Sequence, residues 1–162
     1  AFALLSLQQP VAGDLRVIVS ALRMVTELER MGDYAKGIAK VVIKLKDADI
    51  PIPMDELTQM ASLGLGMLNR ALTAFIQEDP HSASAIPLED DAVDYLYNLV
   101  QHKVVDAMFA DPNIIDTANL ILWVAHNLER LADRVTNICE RTLFIATGEL
   151  MEMDSTDDEE NQ

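Results

Sequence analysis

Two stretches of this sequence carry the same helical pattern of apolar residues, one hundred positions apart. In the second stretch, from Pro112 to Gly148, apolar or small residues recur alternately three and four positions apart, which is typical of a long helix in a bundle. These residues are Thr117, Ile121, Val124, Leu128, Leu131, Val135, Ile138, Thr142 and Ile145. The first stretch has Val17, Ala21, Met24, Leu28, Met31, Ala35, Ile38, Val42 and Leu45 in the same register. The repeat predicts two copies of one multi-helix unit.

The two stretches also share polar residues that a hydrophobic core does not require. Leu28-Glu29-Arg30 recurs as Leu128-Glu129-Arg130, and Asp33 recurs as Asp133. In each copy the glutamate and the aspartate are four residues apart and share one helix face, which the pattern places away from the apolar seam. Two carboxylates at this spacing cost an isolated helix roughly 0.2–0.5 kcal/mol. Their repetition therefore indicates a role outside the core.

Prolines divide the rest of the chain into further helices, predicted at 54–77, 88–110 and 112–148. These three form a complete unit, while the helix from Val11 to about Lys46 is the last one of an earlier unit. We predict an all-α fold of tandem three-helix bundles, the first incomplete and the second complete. Residues 1–50 form the partial first bundle, 51–150 the second, and 151–162 a disordered acidic tail. On this interpretation a first helix and most of a second are missing from the N-terminus.

Charge and composition argue against several classes of function. The chain has 27 acidic and 12 basic residues, a net charge of −15. That balance disfavours binding to nucleic acid or to anionic lipid and is compatible with cation binding. No run approaches eighteen uninterrupted apolar residues, so no membrane insertion is expected. The single cysteine, Cys139, fits a reducing compartment. We predict a cytoplasmic protein.

At this level of detail the sequence resembles the PhoU family. The resemblance rests on Gln9-Pro10, Asp14-Leu15-Arg16 and Leu28 to Asp33, together with Leu128 to Asp133 and Asn137 to Glu140. It covers positions 1 to about 150, and it departs from the family in the absent N-terminal third and in the acidic tail. The resemblance implies a cytoplasmic protein that represses the phosphate-starvation response. Its implied partners are the ATPase of a phosphate ABC transporter and a sensor histidine kinase.

The resemblance further implies a metal-binding Glu/Asp-x-x-x-Asp motif in each copy. The motif maps onto Glu29 and Asp33 in the first copy and onto Glu129 and Asp133 in the second. Carboxylates of this kind suit Mg²⁺, Mn²⁺ or iron, with Zn²⁺ also open, but one pair supplies only part of a coordination shell.

A preceding helix offers the remaining ligands of the second copy. Asp90 and Asp94 are again four residues apart there, although acids in this position also simply favour a helix N-terminus. Asn137 is either an amide ligand or a solvated residue, and His126 is interpreted as a surface histidine rather than a ligand. The second copy is the better candidate site, because the helix that would complete the first is not in the sequence.

The function that follows is a non-enzymatic regulator of phosphate uptake and phosphate-starvation signalling. One alternative is a ferritin-like di-metal enzyme, which would need inward-facing Glu and His ligands. Another is a metal-free helical adaptor. We also expect a homodimer. Most of the helix surface that would pack over Met24, Met31 and Ile38 is missing from the sequence, so these residues should be exposed or covered by another chain.

Overall fold

The computed structural model describes residues 12–46, 51–150 and 153, and these ranges are almost entirely helical. The long helices are α1 (Ala12–Leu45), α2 (Met54–Gln77), α4 (Asp90–Ala110) and α5 (Ile115–Thr147), with a short α3 at Pro80–Ala85. Single 3₁₀ turns at Ile86–Glu89 and Pro112–Ile114 precede α4 and α5. No strand occurs in the described ranges, so the all-α prediction is confirmed. The segment before Ala12 and the predicted acidic tail, apart from Met153, lie outside the described residues.

Local chemistry determines where the helices end. The Asp79 carboxylate accepts hydrogen bonds from the backbone N–H groups of His81 (3.0 Å) and Ser82 (3.3 Å), which caps the start of α3. This short helix occupies a region that the sequence suggested was only a connection. Gly148 has φ 81° and donates its N–H to the Phe144 carbonyl, which terminates α5.

Helix α5 is the centre of the fold, because α1, α2 and α4 all pack against it. Its predicted apolar seam is confirmed: seven of the nine seam residues are buried, and the other two, Thr117 and Leu131, are half-buried. Burial also extends beyond the seam to Ala118, Ala125, Ala132 and Cys139. Helices on several sides therefore make α5 a core helix rather than an amphipathic surface helix.

Helix α1 packs antiparallel to α5 within the same chain. Its early Arg16 meets Gly148 at the end of α5, and its later Gly37 meets Trp123 near the start of α5. Met31 is 5% exposed, so the expectation that it would be exposed or covered by another chain is wrong. The physical reason is that α5 itself covers this residue.

The buried face of α1 is also rotated from the predicted seam. Its fully buried residues are Ser20, Met31 and Val41, whereas the seam residues Val42 and Ala35 are exposed. Met24 and Ile38 are partly buried against the core. A periodic pattern locates an apolar stripe, but the neighbouring helix decides which edge of the stripe is covered.

Gly37 allows the close approach of α1 to α5. A Cβ atom at this position would overlap the ring of Trp123. Gly32, only five residues earlier, has nothing within 4 Å of such an atom. The two glycines thus differ in role: Gly37 makes room for an indole ring, and Gly32 faces open space. In the described ranges, no helix combines the length and the apolarity that crossing a bilayer requires.

Candidate functional site

Acidic side chains of α4 and α5 gather in the groove between these helices. Asp90, at the start of α4, and Asp133, in the second half of α5, line one polar cavity of about 190 Å³. Asp90 is only 9% exposed. The same cavity is also lined by Arg134, Thr136, Asn137 and Met153. The structure therefore brings together one acid from each of the two helices that the sequence singled out.

Glu129 lies one turn before Asp133 and is more enclosed than the sequence suggested. Its side chain is 12% exposed, and its Oε2 is 3.4 Å from Nδ1 of His126. The ring of His126 in turn lies 6.2 Å from the ring of Tyr97 on α4. Burial raises the pKa of Tyr97, and the nearby negative charge of Glu129 adds to the rise. The outward-facing interpretation is wrong for Glu129, because α4 packs over this part of α5.

Asp94 is half-buried on α4, one turn after Asp90. Within the described residues, no three carboxylate, imidazole or thiolate groups stand close enough together to hold one metal ion. The shared shell of Asp90, Asp94, Glu129 and Asp133 therefore stays a prediction. The cavity offers carboxylate, amide and hydroxyl oxygens, which suit a hard cation. It also contains the guanidinium of Arg134, which is hydrogen-bonded to Glu27.

The first copy of the motif has a different setting. Glu29 and Asp33 are both exposed, on the side of α1 turned away from its buried residues. For this copy the outward-facing prediction is confirmed. The same pair of acids at the same spacing thus occupies different environments, one enclosed between helices and one in solvent.

A polar link between α1 and α5 was missed by sequence reasoning. Arg134 donates a hydrogen bond from Nη1 to Oε2 of Glu27 at 3.2 Å, and Asn137 donates from Nδ2 to the same oxygen at 3.4 Å. The guanidinium of Arg130 lies 5.3 Å from the ring centre of Tyr34 on α1. Asn137, considered above as an amide ligand or a solvated residue, bridges two helices. The sequence held one signal for this link. Glu27 lies four residues before Met31 and so shares its helix face, which is buried in the structure.

Glu140 is a second enclosed acid on α5, at 7% exposure. Its Oε1 accepts a hydrogen bond from the backbone N–H of Met153 at 2.9 Å, and its Oε2 accepts one from Nη2 of Arg141 at 3.3 Å. The neighbouring Cys139 is fully buried, and burial, reinforced by the Glu140 charge, raises the pKa of its thiol to about 12. Cys139 is therefore protonated near neutral pH and is not poised to act as a nucleophile or a thiolate ligand.

Together these features define a class: an all-helical bundle protein whose enclosed acids line the groove between two of its helices. The PhoU domain family matches residues 1–42 and 57–142 of this chain. The chain is 37% identical over 150 residues to the phosphate-specific transport system accessory protein PhoU homolog of Streptococcus pneumoniae, covering 93% of this chain and 69% of that protein. It is 40% identical over 153 residues to the PhoU homolog of Caulobacter vibrioides, covering 92% and 65%.

Solved structures agree with these sequence matches. PhoU from Streptococcus pneumoniae superimposes with a TM-score of 0.82 at 35% identity, and PhoU from Pseudomonas aeruginosa with 0.85 at 32%. Each match covers 91% of this chain, and 70% and 71% of the respective structures. The chain therefore belongs to the PhoU family, and the resemblance seen in the sequence is confirmed. It spans about two thirds of the length of these relatives.

Proposed function

We propose that this chain is a non-enzymatic accessory regulator of phosphate-specific transport, acting in the cytoplasm. The observation that carries the proposal is the family membership, since the relatives matched over more than nine tenths of the chain are named as accessory proteins of phosphate-specific transport systems. In this role the chain would couple the ATPase of a phosphate ABC transporter to a sensor histidine kinase.

We further propose that the acids between α4 and α5 bind a metal cation: Mg²⁺, Mn²⁺, iron or Zn²⁺. Asp90 and Asp133 already share a cavity, and Asp94 and Glu129 lie one turn away from them on the two helices. A bound cation would offset the mutual repulsion of these carboxylates and link α4 to α5. The exposed pair Glu29 and Asp33 would bind more weakly, since it has no such enclosure.

The ferritin-like alternative has less support. An enzyme of that class places histidine ligands inside the bundle, whereas His81, His102 and His126 are all exposed here. The experiment below distinguishes the other alternative, a metal-free adaptor, from the metal-binding regulator.

The test uses this chain in a host that lacks its own homologue and carries a reporter of the phosphate-starvation response. We expect the wild-type chain to repress the reporter at high phosphate. The isosteric pair Glu129→Gln/Asp133→Asn should lower metal affinity on the order of tenfold or more and weaken repression. Bound metal is measured on the purified protein by elemental analysis.

The matched control is Glu29→Gln/Asp33→Asn, which makes the same changes on the exposed copy and should affect both readouts less. If the Glu129/Asp133 variant keeps its metal and its repression, the metal proposal is wrong and the adaptor takes its place. If the wild-type chain fails to repress at all, the regulatory proposal itself is wrong.

Self-association is a further prediction, supported by apolar residues exposed on α1. Val25 and Val42 are each 59% exposed, and Ile43 is also largely exposed. Val42 also lines an apolar groove of about 460 Å³ between α1, α2 and α5. Burying each such side chain stabilises an interface by about 1.5–3 kcal/mol. We expect a homodimer in analytical ultracentrifugation, and a monomer at micromolar concentration would contradict this.

A further inference from the structure

A second cavity lies on the same face of α5 as the acidic groove but nearer the end of the helix, where α1 begins. Its volume is about 320 Å³, and it contains two arginines in a chain that has more than twice as many acids as bases. The residues lining it are Val19, Ser20, Arg23, Arg141, Phe144 and Leu150. The mixture of guanidinium groups, one hydroxyl and apolar walls differs from every other cavity described above.

Ser20 is the first sign that this cavity binds a ligand. It is 1% exposed, and its Oγ has no hydrogen-bond partner among the described residues. Two other helical hydroxyls bond to the preceding turn: buried Thr142 donates to the carbonyl of Ile138 at 3.1 Å, and Thr26 donates to that of Leu22 at 3.2 Å. An enclosed hydroxyl without a partner destabilises the fold. Alanine, which is also the better helix former, would avoid that cost.

The arginines are the second sign. Arg23 forms no ion pair within the described residues, and Arg141 contacts Glu140 at 3.3 Å. Arg16 lies at the same end of the bundle, against Gly148, and its Nε is buried without a hydrogen-bond partner among the described residues. Three guanidinium groups therefore gather at one end of a strongly acidic protein.

Helix-end electrostatics explains only one of these arginines. The carbonyl end of α5 carries partial negative charge, which a cation in its last turn offsets, and Arg16 at Gly148 has that role. The effect fades beyond the last turn. Arg141 lies six residues before the end of α5, and Arg23 lies two turns further along α1 than Arg16. Their convergence with Ser20 needs a different explanation.

We propose that this cavity binds a phosphate group carried on a small organic molecule. The guanidinium groups of Arg23 and Arg141 and the hydroxyl of Ser20 donate hydrogen bonds to the phosphate oxygens, for which guanidinium geometry is well matched. The organic part contacts Phe144 and Leu150. The cavity has the volume of about ten water molecules at ~30 Å³ each, which leaves room beyond a bare oxyanion. The inference does not depend on the proposed role in transport.

The test measures binding to the purified full chain by isothermal titration calorimetry, with phenyl phosphate as the organic probe and inorganic phosphate as the second arm. We expect saturable binding of phenyl phosphate, and weaker binding of inorganic phosphate. Arg23→Gln should weaken phenyl phosphate binding about ten- to hundredfold, the effect of losing one charged hydrogen bond. Ser20→Ala should weaken binding while raising the melting temperature.

The matched control is Arg70→Gln. Arg70 lies on α2 and pairs with Glu89 rather than lining this cavity, so its loss should leave binding unchanged. Arg23 is exposed, so its replacement does not threaten folding. The proposal is overturned if phenyl phosphate fails to saturate the protein, if Arg23→Gln binds it as the wild type does, or if inorganic phosphate binds as tightly as the ester.

Discussion

Ile138→Ala is expected to lower the free energy of unfolding by about 2–5 kcal/mol, and Ile38→Ala, at the equivalent position of the repeat, by clearly less. Ile138 is fully buried at the centre of the bundle, whereas Ile38 is only partly buried at the edge of the groove beside α2. Truncating Ile138 leaves a cavity that surrounding helices cannot close, while water reaches the space left at Ile38.

Urea denaturation of the two variants and the wild type measures these losses. A shift of the denaturation midpoint at an unchanged dependence on urea concentration reports a change in the free energy of unfolding. The two substitutions remove the same atoms from residues with the same repeat position, so each is the other's control. Equal losses would contradict the prediction, and they would indicate that Ile38 is covered in solution, as the proposed homodimer would do.

Glu27→Ala is expected to destabilise the fold by about 1–3 kcal/mol, the cost of leaving buried charged or polar partners without their acceptor. Glu27 accepts hydrogen bonds from both Arg134 and Asn137, and the side chains of Glu27 and Arg134 are largely enclosed between α1 and α5. Thermal unfolding followed by circular dichroism measures the loss. The matched control is Glu29→Ala, two residues away on the exposed face of the same helix, which should stay within about 0.5 kcal/mol of the wild type.

A double-mutant cycle distinguishes the link itself from a general effect of removing Glu27. Arg134→Met removes the charge and keeps most of the side-chain volume. If the two groups interact as the structure indicates, the double variant Glu27→Ala/Arg134→Met should be less destabilised than the sum of the single ones. Additive losses would mean that the two residues contribute independently and that the link is not what holds α1 to α5.

The gathering of acids between α4 and α5 could be partly predicted from the sequence. The repeat singled out Glu129 and Asp133, and helical spacing added Asp90 and Asp94; the structure places Asp90 and Asp133 in one cavity. Spacing along one helix says which residues share a face. It does not say how deeply that face lies against a neighbour, which is why the burial of Glu129 was not foreseen.

What the sequence determined by itself is the helical content, the long seam of α5 and the family, because these depend on periodicity and motif spacing along one chain. Only the tertiary structure decided the environments of the repeated residues. The repeated glutamate is in solvent at Glu29 and enclosed at Glu129. The apolar stripe of α1 is covered along one edge, at Val41, and open along the other, at Val42. The physical reason is that burial is a property of pairs of helices. The free energy gained by covering a face depends on which neighbour reaches it, and a one-dimensional pattern carries no record of the neighbour's position.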